Sequence, residues 1–237
     1  ECARGARSQS VRNRREWHHS AVAAPRAMVA SQPAATMITR DTEPMHKHYI
    51  SAQQLLEDSF KLAWQVYESG YRPNYIVGVW RGGAPVGIAV QELLDVLGVN
   101  ADHIAIRTSS YTGIGQRDRH VKVHGLSYII RQLESEDSLL IVDDVHDTGL
   151  SIDQVILDLH SACKKNTPEI RIATPYYKPG NNRTDRVPEY YIHETADWLV
   201  FPHELHGLTL EEIRANKPEL ASIMGPLQQQ LQTAGNR

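Results

Sequence analysis

Two neighbouring carboxylates, placed between an apolar run and a short stretch rich in hydroxyls and glycine, are the residues of this chain best suited to chemistry. They are Asp143 and Asp144 in Leu139-Leu140-Ile141-Val142-Asp143-Asp144-Val145-His146-Asp147-Thr148-Gly149-Leu150-Ser151. Side by side at the mouth of a buried strand the two acids repel each other, so they call for a compensating ligand such as sugar hydroxyls or a divalent cation. Gly149 can take a backbone conformation closed to other residues, which lets the amides of Asp147 through Ser151 converge on one anion at a helix N-terminus. Thr148 and Ser151 add hydroxyl donors. Strand, paired acids, glycine loop and helix in this order suit a sugar phosphate better than they suit a solvated turn.

The elements that must position these groups are legible from periodicity. Leu139 to Val142 reads as a parallel strand buried on both faces. Ser151 reads as an N-cap, followed by Ile152, Val155, Ile156, Leu159 and Ala162 on one face of a helix to Cys163. Upstream, Ser51 and Gln54 suggest a capping box for a helix whose apolar face is Leu55, Leu56, Phe60, Ala63, Val66 and Tyr67. Strand Tyr75 to Trp80, helix Ala84 to Leu97, strand Ile104 to Ile106, a helix from about Leu126 to Leu133 and strand Ile170 to Thr174 continue the pattern. Alternation of this kind predicts an α/β fold with a mostly parallel twisted sheet, helices on both faces, and the ligand site at the carboxyl ends of the strands.

Three further segments carry chemistry. In Val77-Gly78-Val79-Trp80-Arg81-Gly82-Gly83-Ala84-Pro85, two successive glycines between strand and helix let a backbone amide approach an anion closely. Arg107-Thr108-Ser109-Ser110-Tyr111-Thr112-Gly113-Ile114-Gly115 leaves a strand and enters a polar, glycine-containing loop. Lys178, in Tyr177-Lys178-Pro179-Gly180, offers a donor-only ammonium, which matches an acceptor and opposes another donor. Tyr190-Tyr191-Ile192-His193-Glu194-Thr195-Ala196-Asp197-Trp198 follows after a polar excursion.

Val142 to Ser151 resembles the phosphoribosyl-pyrophosphate (PRPP) signature of type I phosphoribosyltransferases, and the other segments follow in that family's order over about Tyr49 to Leu208. The resemblance implies the family's fold with a small base-binding hood, and a 6-oxopurine enzyme joining hypoxanthine, guanine or xanthine to PRPP in purine salvage. It implies that Asp143, Asp144, Asp147, Thr148, Gly149, Leu150 and Ser151 bind PRPP, with Arg81 and Gly82 on the pyrophosphate. By position, the family's non-proline cis peptide would be Arg81-Gly82. Asp147 matches the catalytic acid that manages the purine N7 proton. Asp143, Asp144 and Asp197 match the groups around magnesium, the expected cofactor. Ser110 and Tyr111 match a closing lid, Lys178 the O6 donor, Tyr191 the stacking aromatic and Ile192 a backbone reader of the ring edge. Ser151 stands where Thr is commoner, Arg81 where Lys is frequent, and His146 at a variable position.

Two rivals remain on the sequence. One is a phosphoribosyltransferase for uracil or orotate, which Lys178 and Tyr191 oppose. The other is a PRPP-binding regulator without turnover, which would need a nucleic-acid element; an arginine-rich arm before Tyr49 is the one candidate.

Composition sets outer bounds. The chain has 237 residues, 41% hydrophobic, with 25 Lys and Arg against 28 Asp and Glu for a net charge of −3, so no nucleic-acid or anionic-membrane partner is expected. The substrates' negative charge must be met locally. Only Cys2 and Cys163 are present, which argues for a reducing cytoplasm, and no apolar run approaches the ~18 residues of a membrane span. The twelve histidines show no zinc spacing. Residues 1–45 read as a disordered Arg-rich extension, expected to lie upstream of a start at Met37 or Met45; 46–216 read as the phosphoribosyltransferase domain and 217–237 as a loose tail. The resemblance suggests a homodimer or homotetramer.

Overall fold

The computed structural model describes residues 47–112 and 119–234; the arginine-rich extension and the tip of the expected lid lie outside the described residues. After a short strand β1 (Lys47–Tyr49) comes helix α1 (Ala52–Glu68). The Ser51 hydroxyl accepts the Gln54 N–H at 3.1 Å. The Gln54 side chain donates onward to Asp58 at 2.9 Å, so the helix starts with a hydroxyl cap. The stripe that α1 buries is Leu55, Asp58, Ser59, Leu62, Ala63 and Val66, while Leu56 and Phe60, expected on the core face, point outward. At 3.6 residues per turn, Leu55, Leu62 and Val66 share a face that the position one residue after Leu55 does not.

Strands β2 (Tyr75–Trp80), β3 (Asp102–Thr112), β4 (Arg119–His124), β5 (Ser138–Val142), β6 (Val145–His146), β7 (Glu169–Tyr177) and β8 (Tyr190–Glu194) form one sheet. Its order is β4-β3-β2-β5-β7-β6, with β8 on the other side of β7, and every pairing is parallel except β3 with β4. Helices α2 (Gly83–Val96), α3 (Ser127–Ile130) and α4 (Leu150–Cys163) make the crossovers. Strand alternation splits the core in two. Leu140 and Val142 pack with Leu62, Val66, Val90 and Leu94 of α1 and α2. Leu139 and Ile141 pack with Ile129, Val155, Ile156 and Leu159 of α3 and α4. The expected doubly covered, mostly parallel sheet is therefore what forms.

Four local expectations need correction. Strand β3 does not end at Ile106 but continues to Thr112, because its β-branched and aromatic residues pair with β4, Thr108 opposite Val123 and Ser110 opposite Val121. Helix α3 is one turn rather than two. Helix α4 is capped by Gly149, not Ser151, which lies inside its first turn. Within the expected tail, residues 217–234 carry structure: Lys217 is buried and donates to the Phe201 carbonyl at 2.5 Å, and helix α6 (Met224–Ala234) follows.

A small second sheet pairs β1 in parallel with β9 (Trp198–Val200). Helix α5 (Leu210–Asn216) ties to it through Glu212, which completes a capping box with Thr209 and accepts the Lys47 ammonium at 2.6 Å. The Lys47 hydrogen bond, followed by the Thr209 N–H, pulls the Glu212 carboxyl down to about 2. A depressed carboxyl contributes stability above its ordinary value, 4.5, and loses that contribution as pH falls toward about 2. Thermal denaturation across that window is expected to show a smaller decline for Glu212→Gln than for the wild type; identical declines would show that the pair contributes nothing. Among the described residues no helix is long and apolar enough to cross a membrane.

Candidate active site

Parallel pairing of β2 with β5, Gly78 opposite Val142, brings the two glycine loops to one edge of the sheet. In the first loop the cis peptide is Trp80-Arg81, one residue earlier than expected, and Gly82 has helical angles (φ −66°, ψ −35°) at the start of α2. Gly82 lies against Asp144: a Cβ built there would fall within its carboxylate. A Cβ on Gly83 would meet the Val142 carbonyl and stand 2.8 Å from the Asp143 α-carbon. The double glycine thus serves the close packing of one loop onto the other.

The acid pair is charged against itself. Asp143 accepts the Asp144 N–H at 2.9 Å. Burial, and then the neighbouring Asp144 charge, push its carboxyl well above the usual carboxylate range. Asp144 is buried, with His203 Nε2 3.5 Å from its Oδ2. Among the described residues no three His, Cys, Asp or Glu side chains converge as a metal cage. Two adjacent carboxylates are the oxygen donors that a magnesium ion takes while keeping several waters.

The second loop turns at Gly149, whose φ of +74° is left-handed and favours glycine. Asp143, Asp147, Thr148, Gly149 and Ser151 line a cleft of about 80 Å³ at the N-terminus of α4, suited in size and in donors to one phosphate group. Leu150 opens the helix beside it.

Next to this cleft lies a cavity of about 460 Å³, where Arg81, Asp144, Asp147 and Lys178 meet a wall made by Trp198, Leu199, Val200 and Phe201. Apolar walls with a few convergent polar groups are typical of small-ligand sites. Lys178 is buried, and its ammonium stands 3.7 Å from Asp147 Oδ2. The other oxygen, Oδ1, accepts the Asn181 amide at 2.8 Å. Asp147 borders both spaces and links them.

The remaining residues singled out from the sequence lie elsewhere. Tyr191 is on β8, donates to Glu194 at 2.8 Å and packs near Tyr177, and it is not among the residues of the larger cavity. Ile192 packs on the core, and Asp197 borders a different cavity, of about 450 Å³, with Gln54 and His193. The backbone of Ser110 and Tyr111 belongs to β3, opposite Val121 and His120. Sequence reasoning passed over Trp198 and Phe201; the run Trp198-Leu199-Val200-Phe201, apolar and β-prone after a polar excursion, was the signal that could have found them.

A phosphoribosyl transferase domain model matches residues 47–206. Among solved structures, the chain resembles a purine phosphoribosyltransferase from Pyrococcus horikoshii at 29% identity and TM-score 0.54, over 69% of this chain and 97% of that one. It also resembles a xanthine-guanine-hypoxanthine phosphoribosyltransferase from Helicobacter pylori (20%, TM-score 0.56, 72% and 99%). A third is a hypothetical protein from Neisseria gonorrhoeae with bound ppGpp (17%, TM-score 0.59, 75% and 98%). At those two identities the likeness is one of fold. The matched span includes both glycine loops, the acid pair, Lys178 and Trp198, and on that match the chain belongs to the phosphoribosyl transferase family.

Proposed function

We propose that the chain transfers the 5-phosphoribosyl group of PRPP to N9 of a 6-oxopurine, hypoxanthine, guanine or xanthine, releasing pyrophosphate and a nucleoside 5′-monophosphate for purine salvage. The observation that carries this reading is the buried Lys178 ammonium 3.7 Å from Asp147, in a cavity that also holds Arg81, Asp144 and the Trp198 face. An ammonium donates to a 6-oxo group and meets only another donor in adenine, so the base is chosen by its exocyclic atom. The likeness to the Pyrococcus purine phosphoribosyltransferase, at 29% identity, supports the same class of base.

In this reading the cleft of Thr148, Gly149, Leu150 and Ser151 takes the 5′-phosphate through backbone N–H groups and hydroxyls. Asp143 and Asp144 hold the ribose hydroxyls, and Arg81 with the Gly82 amide takes pyrophosphate. Asp143 and Asp144 would also hold magnesium, which supplies charge neutralisation of the leaving pyrophosphate. Asp147 manages the N7 proton while the fixed ribose presents its anomeric carbon in line with N9. Trp198, rather than Tyr191, provides the stacking face, and Asp197 stays outside this arrangement. Shielding of the cationic centre falls to the β3–β4 hairpin that carries Ser110 and Tyr111. The free Cys163 thiol fits the cytoplasm, and the exposed Trp80 and Ile88 offer an apolar face for a homodimer or homotetramer.

Pyrophosphate release from PRPP and magnesium, measured with each of hypoxanthine, guanine, xanthine, adenine and uracil, tests the reading. Turnover with at least one oxopurine and none with adenine or uracil is expected. In Lys178→Gln the oxopurine kcat/KM should fall about 10- to 150-fold, the loss expected for one charged hydrogen bond, and the margin over adenine should narrow. PRPP binding without turnover on any base would overturn the enzyme.

A further inference from the structure

The polar excursion after Lys178 reaches back to the phosphate side of the site. The Lys178 N–H donates to the His146 carbonyl at 2.9 Å, and the Asn181 N–H to the Lys178 carbonyl at 3.1 Å, closing a turn directly behind the base-reading lysine. From that turn the Asn181 side chain donates to Asp147 Oδ1 at 2.8 Å. Two residues on, the Arg183 N–H donates to the Thr148 carbonyl at 3.0 Å, inside the phosphate loop. Arg186 then pairs with Asp153, in the first turn of α4, at 2.7 Å. Between these anchors Asn182 ties the segment to itself, accepting from the Thr184 hydroxyl at 3.0 Å and donating to the Arg186 carbonyl at 2.8 Å. The fit against the loop is close: a Cβ on Gly149 would lie 2.7 Å from Thr184 Oγ1 and 2.9 Å from Asn182 Oδ1.

We propose that Asn181 to Arg186 is a brace that sets the phosphate loop in register with Lys178, and that Asn181 is a positioning residue for Asp147. The physical argument lies in the two oxygens of Asp147. With its side chain 42% exposed, Asp147 is free to choose among rotamers unless something fixes it. The Lys178 ammonium, at 3.7 Å, attracts Oδ2 without defining its direction, whereas the Asn181 amide fixes Oδ1 at hydrogen-bond distance. A group that must meet one ring nitrogen of the base gains most from such orientation. The same segment carries the anchors to Thr148 and Asp153, so a nucleotide that spans both ends feels one rigid body.

This inference rests on the transferase reading, and Asn181→Leu tests it separately. Asn181 is exposed, and leucine there removes the donor while keeping the branching at Cγ, so Tm is expected to stay within about 2 °C. Steady-state turnover should show kcat lowered about tenfold with KM for PRPP within about twofold, the pattern of a lost bond to a charged group that acts on the base side. Calorimetric titration with GMP, which requires no turnover, should show Kd raised about fivefold for the same reason. Asn181→Asp, which keeps the shape but replaces the donor with a second carboxylate, should show at least the same losses. Inactivity of the wild type would overturn the transferase reading alone, since the GMP Kd ratio still judges the brace. Wild-type kcat and GMP Kd in Asn181→Leu would overturn the brace, as would losses that merely follow a fall in Tm.

Discussion

Replacing Asp147 with Asn is expected to lower kcat about 10²- to 10⁴-fold, the range associated with removing a positioned acid–base group. Asn keeps the volume and one oxygen for the Asn181 amide, so the Asn181 contact at 2.8 Å has no steric reason to break. What disappears is the negative charge facing Lys178 and, in the proposed reaction, the capacity to hold the N7 proton. The buried Lys178 ammonium then loses the carboxylate 3.7 Å away, which raises the energy of the empty site and of the transition state together. The larger part of the loss should therefore appear in kcat, with KM for PRPP changed little, because the phosphate cleft retains Thr148, Gly149 and Ser151. Initial-rate kinetics on a variant checked for an unchanged Tm decide the matter. A fall of less than tenfold would remove Asp147 from the chemistry and leave it a role in binding.

Gly82→Ala is expected to be nearly as damaging, through geometry alone. The added methyl group would overlap the Asp144 carboxylate, and Asp144 has little room to yield, being buried and flanked by His203. Either the β2–α2 loop lifts away from β5 or Asp144 leaves its place, and both outcomes displace groups that act on PRPP in the proposed reaction. Displacement of a positioning group by about 1 Å commonly costs ~10²-fold, so kcat/KM for PRPP should fall by at least about that factor. The control is Gly225→Ala in α6, where a Cβ meets nothing within 4 Å and no change in rate is expected. Equal kinetics for Gly82→Ala and the control would mean that the loop and the acid pair do not depend on each other.

Local features were legible wherever a single segment decides them. Strand β5 follows from four consecutive apolar residues, and all four are fully buried between α1 and α2 on one side and α3 and α4 on the other. The turn into α4 follows from Gly149, whose left-handed angle opens the helix. The misses share a cause. The outward turn of Leu56 and Phe60 depends on which stripe of α1 meets the sheet, a matter of packing on distant strands. The extension of β3 to Thr112 depends on β4 being there to accept its hydrogen bonds.

The sequence by itself determined the strand–acid–glycine–helix unit, the order of the elements and the donor-only character of Lys178, because each rests on residue type and spacing along a few turns or strands. Only the tertiary structure decided which aromatic joins Lys178: Tyr191 lies on β8 beside Tyr177, while Trp198, paired through β9 to β1, enters the cavity wall. It also decided that Asp197 borders another cavity and that Asn181 grips Asp147. These are contacts between segments far apart in the chain, fixed by parallel pairing and by the close approach that Gly82 and Gly149 permit, and no local pattern encodes them.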